Sequence, residues 1–270
     1  MILDHHNGLL LMRNDHLGER RLRSDDCYKL IYSPYGKGTY QMKRQDLAIN
    51  KDEFIIVNPN EEHKQLQISK EKFLVELDQS LLSNIAIEID VSLTDPEFAL
   101  FSFKHPQITK WVGFLREFML FNQDASEKSQ QLFIENALTQ LVILMLQYGP
   151  GSHLKELPTF QANDELHKVI NALKDSYDDD WTLDEMAMQS GLSKYQFAHL
   201  FKQTTGLSPY SWLQIYRLIR SQELLTRTTS SILEIALQVG FKNVGAYNQL
   251  FKKVYGKTPT AFRMFHDGNK

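Results

Sequence analysis

At 270 residues, with 42% hydrophobic side chains and a formal charge of −3, the chain has room for one large domain or two ordinary ones and is too apolar for disorder. Its one cysteine, Cys27, excludes an internal disulfide and fits a reducing, cytoplasmic location. The N-terminal "MILDHHNGLLLMRNDHLGER" carries charges through its short apolar run, unlike a signal peptide, and the most apolar stretch, "LTQLVILMLQY", is too short to span a bilayer.

From Tyr28 to about Leu82 the pattern is strand-like: "YKLIYS", "DEFIIVN" and "KFLVEL" are short β-rich runs separated by the turn signals "PYGKG", "NPNEEH" and "SKE". Short strands with turns and no helical period predict a sandwich or a small barrel. From Gln107 the period changes. "ITKWVGFLREFMLF" and "QQLFIENALTQLVILMLQY" repeat apolar residues at helical spacing. Within Gln130–Tyr148, Leu138, Leu141, Val142 and Met145 form a stripe that suits either a homodimer contact or packing on the strand domain. "GPGSHLKELP" then reads as a linker, and everything beyond it reads as helix. The predicted division is a strand-plus-helix domain over 1–150, a linker over 151–162 and an all-α domain over 163–268.

Charge follows this division. Residues 1–180 carry 19 Lys/Arg against 28 Asp/Glu, whereas 181–266 carry 10 against 4. A basic module on an acidic protein points to a polyanion partner for that module alone.

The basic module contains an internal repeat. "GLSKYQFAHLFKQTTGLSP" begins at Gly191 and "GFKNVGAYNQLFKKVYGKTP" at Gly240. Each copy has the punctuation of two helices joined sharply. Thr182-x-x-Glu185 and Ser231-x-x-Glu234 are capping boxes for the first helices, and Gly191 and Gly240 end them. Ser193 and Asn243 are N-caps for the second helices, which Gly206 and Gly256 stop. Leu183, Phe197 and Phe201, with Ile232, Tyr247 and Phe251, are the predicted core. Two helix-turn-helix motifs result, at 182–203 and 231–253, joined by a helix of roughly 18 residues, or about 27 Å. Successive turns of a major groove lie about 34 Å apart, so one rigid chain can set two reading helices on one face of double-stranded DNA.

These motifs, with "LDEMAMQSGLSKYQFAHLFKQTTGLSP" and "ILEIALQVGFKNVGAYNQLFKKVYGKTPTAFR", resemble the DNA-binding domain of AraC/XylS-type bacterial transcription regulators over about 100 residues, Asn163 to Arg263. The N-terminal half, through "YGKGTY" and "DEFIIVNPNEEH", resembles that family's small cupin-type β-barrel. The resemblance implies a cytoplasmic, sequence-specific regulator that binds an operator, pairs as a homodimer, answers to a small-molecule effector and, if it activates, meets RNA polymerase. By position, the resemblance places Lys194, Tyr195, His199 and Lys202 on the first reading surface. On the second it places Asn243, Asn248, Gln249, Lys252 and Lys253. Tyr195 and His199 fall where relatives touch base edges, and Gln249 suits a bidentate contact to adenine. Lys202, Lys252, Lys253 and Arg217 are candidate phosphate contacts.

Candidate effector residues are His63, after the "NPNEEH" turn, Tyr35, ahead of Gly36, and the strand aromatics Tyr28, Tyr40 and Phe54. Metal-binding cupins use a His-x-His pair with a later Glu and His, and this chain offers only His63 in the corresponding region, so neither a metal nor another cofactor is expected. No phosphate loop or catalytic triad pattern is present, so the chain does not read as an enzyme. Three readings stay open on sequence: an effector-controlled regulator, a constitutive DNA binder, and a metal-cupin enzyme fused to a DNA-binding tail.

Overall fold

The structure is a computed structural model that describes residues 2–13, 18–19, 21–43, 46–68, 70–91, 96–122, 124–149, 151 and 164–267. The predicted linker lies outside the described residues apart from Gly151. The chain divides into two compact units, Met1–Gly149 and Pro150–Lys270.

The first unit holds β1 (Ile2–His5), β2 (Gly8–Arg13), β3 (Cys27–Ser33), β4 (Gly38–Met42), β5 (Asp46–Ile49), β6 (Glu53–Val57), β7 (His63–Gln67) and β8 (Lys72–Asp78). They form two antiparallel sheets, in the orders β1-β2-β8-β3-β6 and β5-β4-β7. One core joins them: Ile31, Ile55, Val57 and Leu74 from the larger sheet meet Tyr40, Met42, Leu47 and Ile49 from the smaller. β4 shows the alternation of a half-buried strand, with Gly38, Tyr40 and Met42 inward. β3 and β8 are buried almost throughout and carry little alternation, with Lys29 and Lys72 buried in them beside the apolar residues.

The second face of the larger sheet is covered by α1 (Gln79–Glu88) and α3 (Glu127–Tyr148), with α2 (Pro106–Phe121) against α3. This packing settles the two uses offered for the α3 stripe. Leu138, Leu141, Val142 and Met145 are all fully buried within one copy of the chain, so they are core and are not available to a partner. β1, β2, β4, β5, β7 and α1 have no counterpart among the strand and helix runs quoted from the sequence. The β1–β2 hairpin pairs His5 with Gly8 across a two-residue connection, His6-Asn7.

The second unit holds α4 (Asp164–Asp175), α5 (Leu183–Ser190), α6 (Lys194–Thr205), α7 (Pro209–Arg227), α8 (Ile232–Gln238), α9 (Val244–Tyr255) and α10 (Pro259–Asp267). Phe197, Phe201, Tyr247 and Phe251 are fully buried, as expected of the repeat's core. Leu183 is 41% exposed and Ile232 only partly buried; Met186, Ala187, Ile235 and Ala236 take the inward positions of α5 and α8. Those residues lie one turn further along, because a capping box directs its N-terminal turn to solvent.

Candidate nucleic-acid interface

Both helix-turn-helix motifs are built from the same local chemistry. The Thr182 hydroxyl accepts from Glu185 N–H while the Glu185 carboxylate accepts from Thr182 N–H, and Ser231 with Glu234 repeats the arrangement. These hydrogen bonds hold both carboxyls below the usual carboxylate range. α5 ends at Gly191 with φ +67°, and α8 is followed by Gly240 at φ +86°. Ser193 starts α6 with a second capping box to Gln196, and Asn243 starts α9 by accepting from Ala246 N–H at 2.7 Å. Phe197 and Phe201, Tyr247 and Phe251 face inward on one side of each reading helix, which leaves the other side to solvent.

The outward face of α6 presents Lys194, Tyr195, His199 and Lys202. Tyr195 is 83% exposed, and its ring lies parallel to that of His199 with centroids 6.4 Å apart. An exposed aromatic beside an imidazole can make both apolar and hydrogen-bonded contacts to base edges. Lys194 pairs with Asp184 at 2.8 Å, but both side chains are exposed, and such pairs are worth about 0–1 kcal/mol, so a phosphate can displace the carboxylate. The outward face of α9 presents Gly245, Ala246, Gln249, Lys252 and Lys253. It is smaller and less polar than that of α6, and Asn248 is only partly exposed. α7, with 19 residues, is about 28 Å long.

Two of the sequence-placed DNA contacts have other duties. Arg217 is only 5% exposed; its Nε donates to the Tyr177 carbonyl at 2.6 Å and its Nη2 to the Asp179 carbonyl at 2.7 Å. It is a clamp inside the fold and not a phosphate contact. The side-chain oxygen of Asn243 is held by the α9 cap. Arg263, which the sequence reading passed over, mirrors Arg217 by donating to the carbonyls of Leu225 and Ser230. In each copy an arginine from the helix after the reading helix grips the segment before the first helix. Sequence holds no local signal for this, since the partners are carbonyls more than 30 residues away.

The five effector candidates are not brought together. The Tyr28 hydroxyl donates to the Pro96 carbonyl at 3.0 Å and its ring packs on Phe98, while Phe54 packs on Phe103; both are core. Tyr35 is 51% exposed on the outside, where its hydroxyl accepts from Arg116. Tyr40 is buried and donates to Gln65 Oε1 at 3.2 Å. His63 is buried with Nδ1 2.8 Å from the Glu61 carbonyl, and burial pushes its pKa down, so it is neutral. Among the described residues, no three His, Cys, Asp or Glu side chains gather as a metal site. Nor is any described helix long and apolar enough to cross a membrane.

Residues 186–264 match the family model of a helix-turn-helix domain, and the chain is similar to AraC-family regulators. This segment is an AraC-type helix-turn-helix domain. The HTH-type transcriptional regulator MtrA of Neisseria gonorrhoeae is 27% identical over 175 residues, 62% of this chain and 56% of that protein. The Msm operon regulatory protein of Streptococcus mutans is 29% identical over 137 residues, 49% of this chain and 48% of that protein. The virulence regulon transcriptional activator VirF of Yersinia enterocolitica is 24% identical over 127 residues, 47% of each. The chain thus spans about half the length of the curated relatives it matches. Among solved structures, the DNA-binding domain of AdpA in complex with a target DNA is 25% identical, covers 40% of this chain and 97% of that one, and has a TM-score of 0.39. The AraC-type domain includes most of α5, both reading helices and α7, so all the outward-facing candidates from Lys194 to Lys253 lie inside it.

Proposed function

We propose that the protein is a sequence-specific DNA-binding transcriptional regulator whose AraC-type domain sets α6 and α9 into neighbouring turns of the major groove. The observation that carries this reading is the duplication: two motifs share caps, turn glycines and a buried aromatic pair, and both leave a polar or basic face uncovered. Tyr195 and His199 read bases on α6. Gln249 is the principal reader on α9, and Lys202, Lys252 and Lys253 hold phosphates. The first unit serves as sensor for a small molecule, and two copies of the chain act together in the cytoplasm. Where the regulator activates, RNA polymerase is the further partner. The names of the relatives, regulators and a transcriptional activator, support this reading.

Selection of binding sites from a randomised DNA pool by the full chain tests it. The expected outcome is an enriched sequence with two blocks about one helical turn apart. Retention of DNA without enrichment would leave only a non-specific polyanion binder.

A further inference from the structure

The second helix-turn-helix motif is carried at the C-terminal end of α7. Tilting a helix of about 28 Å by about 10° at one end moves the other end by about 5 Å, more than the step of about 3.4 Å between base pairs. A single connecting helix therefore does not hold two readers to within one base pair. A second link between the motifs is needed for that.

The turn between α4 and α5, Ser176–Trp181, supplies one. It is closed on itself, since Trp181 Nε1 and Asp179 N–H both donate to the Ser176 carbonyl, at 2.9 and 3.2 Å. α7 grips one side of it. The Arg217 fork takes the Tyr177 and Asp179 carbonyls, the Tyr216 ring lies edge-on to Tyr177 at 5.5 Å, and the Arg220 guanidinium is 5.7 Å from the Tyr177 ring. The other side meets the second motif. Gly240, in the turn between α8 and α9, lies so close that a Cβ on it would come within 2.7 Å of Asp178 Cα and its carbonyl oxygen, and within 3.0 Å of Arg217 Cζ. Beside it Lys242 pairs with Asp180 at 3.0 Å, an exposed contact that adds little stability. The middle of α7, the turn ahead of the first motif and the turn inside the second thus converge on one guanidinium.

The repeat contains its own comparison. Gly191 is the counterpart of Gly240 and is also left-handed, yet a Cβ on it would meet nothing within 4 Å. Both copies favour glycine for the turn, but only the second requires that a side chain be absent. The close approach at Gly240 is therefore no part of building a helix-turn-helix motif. It is a contact between motifs.

We infer that this junction is a positioning device: Arg217 and Gly240, acting through Ser176–Trp181, fix the separation of α6 and α9 and so set the spacing between the two blocks of a DNA site. The inference rests on the regulator reading proposed above. Arg217 is buried and Gly240 has no side chain, so neither reads a base. Their effect is geometric, because one base pair inserted between the blocks displaces the second by about 3.4 Å and turns it by about 35°.

The test has two readouts on the full chain. The first is competition binding to the site enriched by selection, with one base pair added to or removed from the spacer. The unaltered protein should lose about tenfold or more on either change, the scale of one good base contact. Gly240→Ala and Arg217→Lys should each narrow that loss to about threefold or less, with base preference inside each block retained. Gly191→Ala should keep the full loss. The second readout needs no DNA. Spin labels on Gln203→Cys and Lys253→Cys, equivalent exposed positions of α6 and α9, in a Cys27→Ser background should report one narrow distance. Gly240→Ala and Arg217→Lys should broaden or shift it, and Gly191→Ala should not. If Gly240→Ala does not fold, Arg217→Lys decides the matter. A broad distance in the parent, spacing and distance unmoved in the folded variants, or an equal change in Gly191→Ala would each overturn the inference. Base preference with a freely tolerated spacer would sink this inference alone. A narrow distance that Arg217→Lys broadens, with no base preference at all, would sink the regulator reading and leave the junction standing.

Discussion

Arg217 Nη2 donates to the Asp179 carbonyl at 2.7 Å, and this bond fixes the turn before the first helix-turn-helix motif against the middle of α7. With the Nε bond to Tyr177, the guanidinium joins two carbonyls that nothing else in its position could serve together. Arg217→Ala should destabilise the second unit by about 3 kcal/mol, the scale of two charge-assisted bonds reduced for non-additivity. Arg217→Lys should restore only part of this, because an ammonium lacks the planar fork. Denaturant unfolding measures the loss. A salt dependence of DNA binding that flattens by about one unit in Arg217→Ala, with stability intact, would return the residue to the phosphate contacts.

The same turn explains why one glycine is more constrained than its counterpart. A Cβ on Gly240 would meet Asp178 Cα and its carbonyl oxygen at 2.7 Å, besides adopting φ +86°. A Cβ on Gly191 would meet nothing within 4 Å, at φ +67°. Gly191→Ala should therefore cost only the left-handed strain, about 1 kcal/mol, and Gly240→Ala about 2 kcal/mol or more. Equal midpoints for the two variants in urea would contradict the packing at Asp178.

Leu141 is wholly enclosed by its own chain. Leu141→Glu buries a carboxylate among apolar side chains and should unfold the first unit instead of separating a folded dimer into folded monomers, since the cost is comparable with a typical total stability of about 5–15 kcal/mol. Circular dichroism and sedimentation together check it. A folded monomer from this variant would mean that α3 is less enclosed than its packing indicates.

The features that sequence made legible are those whose causes are local. Thr182 with Glu185 and Ser231 with Glu234 are three residues apart, and the turn glycines follow at once, so caps and turns can be read directly. The uses of Arg217, Tyr28 and Phe54 were not legible. Arg217 is a surface cation by composition and a clamp only because distant carbonyls arrive beside it. Tyr28 and Phe54 stand on strands buried on both faces, where alternation vanishes and nothing marks which side faces a cavity. The Arg13–Lys72 opposition exists only through the β2–β8 register, which no short window contains. The β1–β2 hairpin turns at His6-Asn7 with Gly8 already in the strand, and the continuous apolar run that follows, Leu9 to Met12, shows no alternation to mark it.

Acid should weaken the capping boxes. Glu185 and Glu234 are held below the usual carboxylate range by hydrogen bonds from Thr182 and Ser231. A depressed folded-state pKa gives stability that is present above the unfolded value, near 4.3, and is lost as pH falls through the lower folded value. Thermal denaturation from neutral pH downward should show that loss below about pH 4. Glu185→Gln with Glu234→Gln keeps an acceptor but removes the titration, so the double variant should be less pH-sensitive over that window. An unchanged profile would assign acid sensitivity to other carboxylates.

The readers separate by what they touch. His199 stands on α6, which has a full capping box and the more polar face, and Gln249 stands on α9, whose neighbouring surface is Gly245 and Ala246. His199→Ala and Gln249→Ala should each relax base preference at distinct operator positions about one helical turn apart, at about 1–3 kcal/mol per contact, with the larger effect at His199. Tyr195→Ala should weaken preference in the block read by His199, because the two rings lie side by side on one face. Lys252→Ala should weaken all sequences alike and reduce the salt slope by about one unit, since a phosphate contact carries no base information. Site selection with each variant, paired with a salt titration on the enriched site, distinguishes the two behaviours. Base preference unchanged in both His199→Ala and Gln249→Ala would place the reading surface on residues other than these outward faces. A base-specific loss in Lys252→Ala would move that lysine from the backbone to a groove edge.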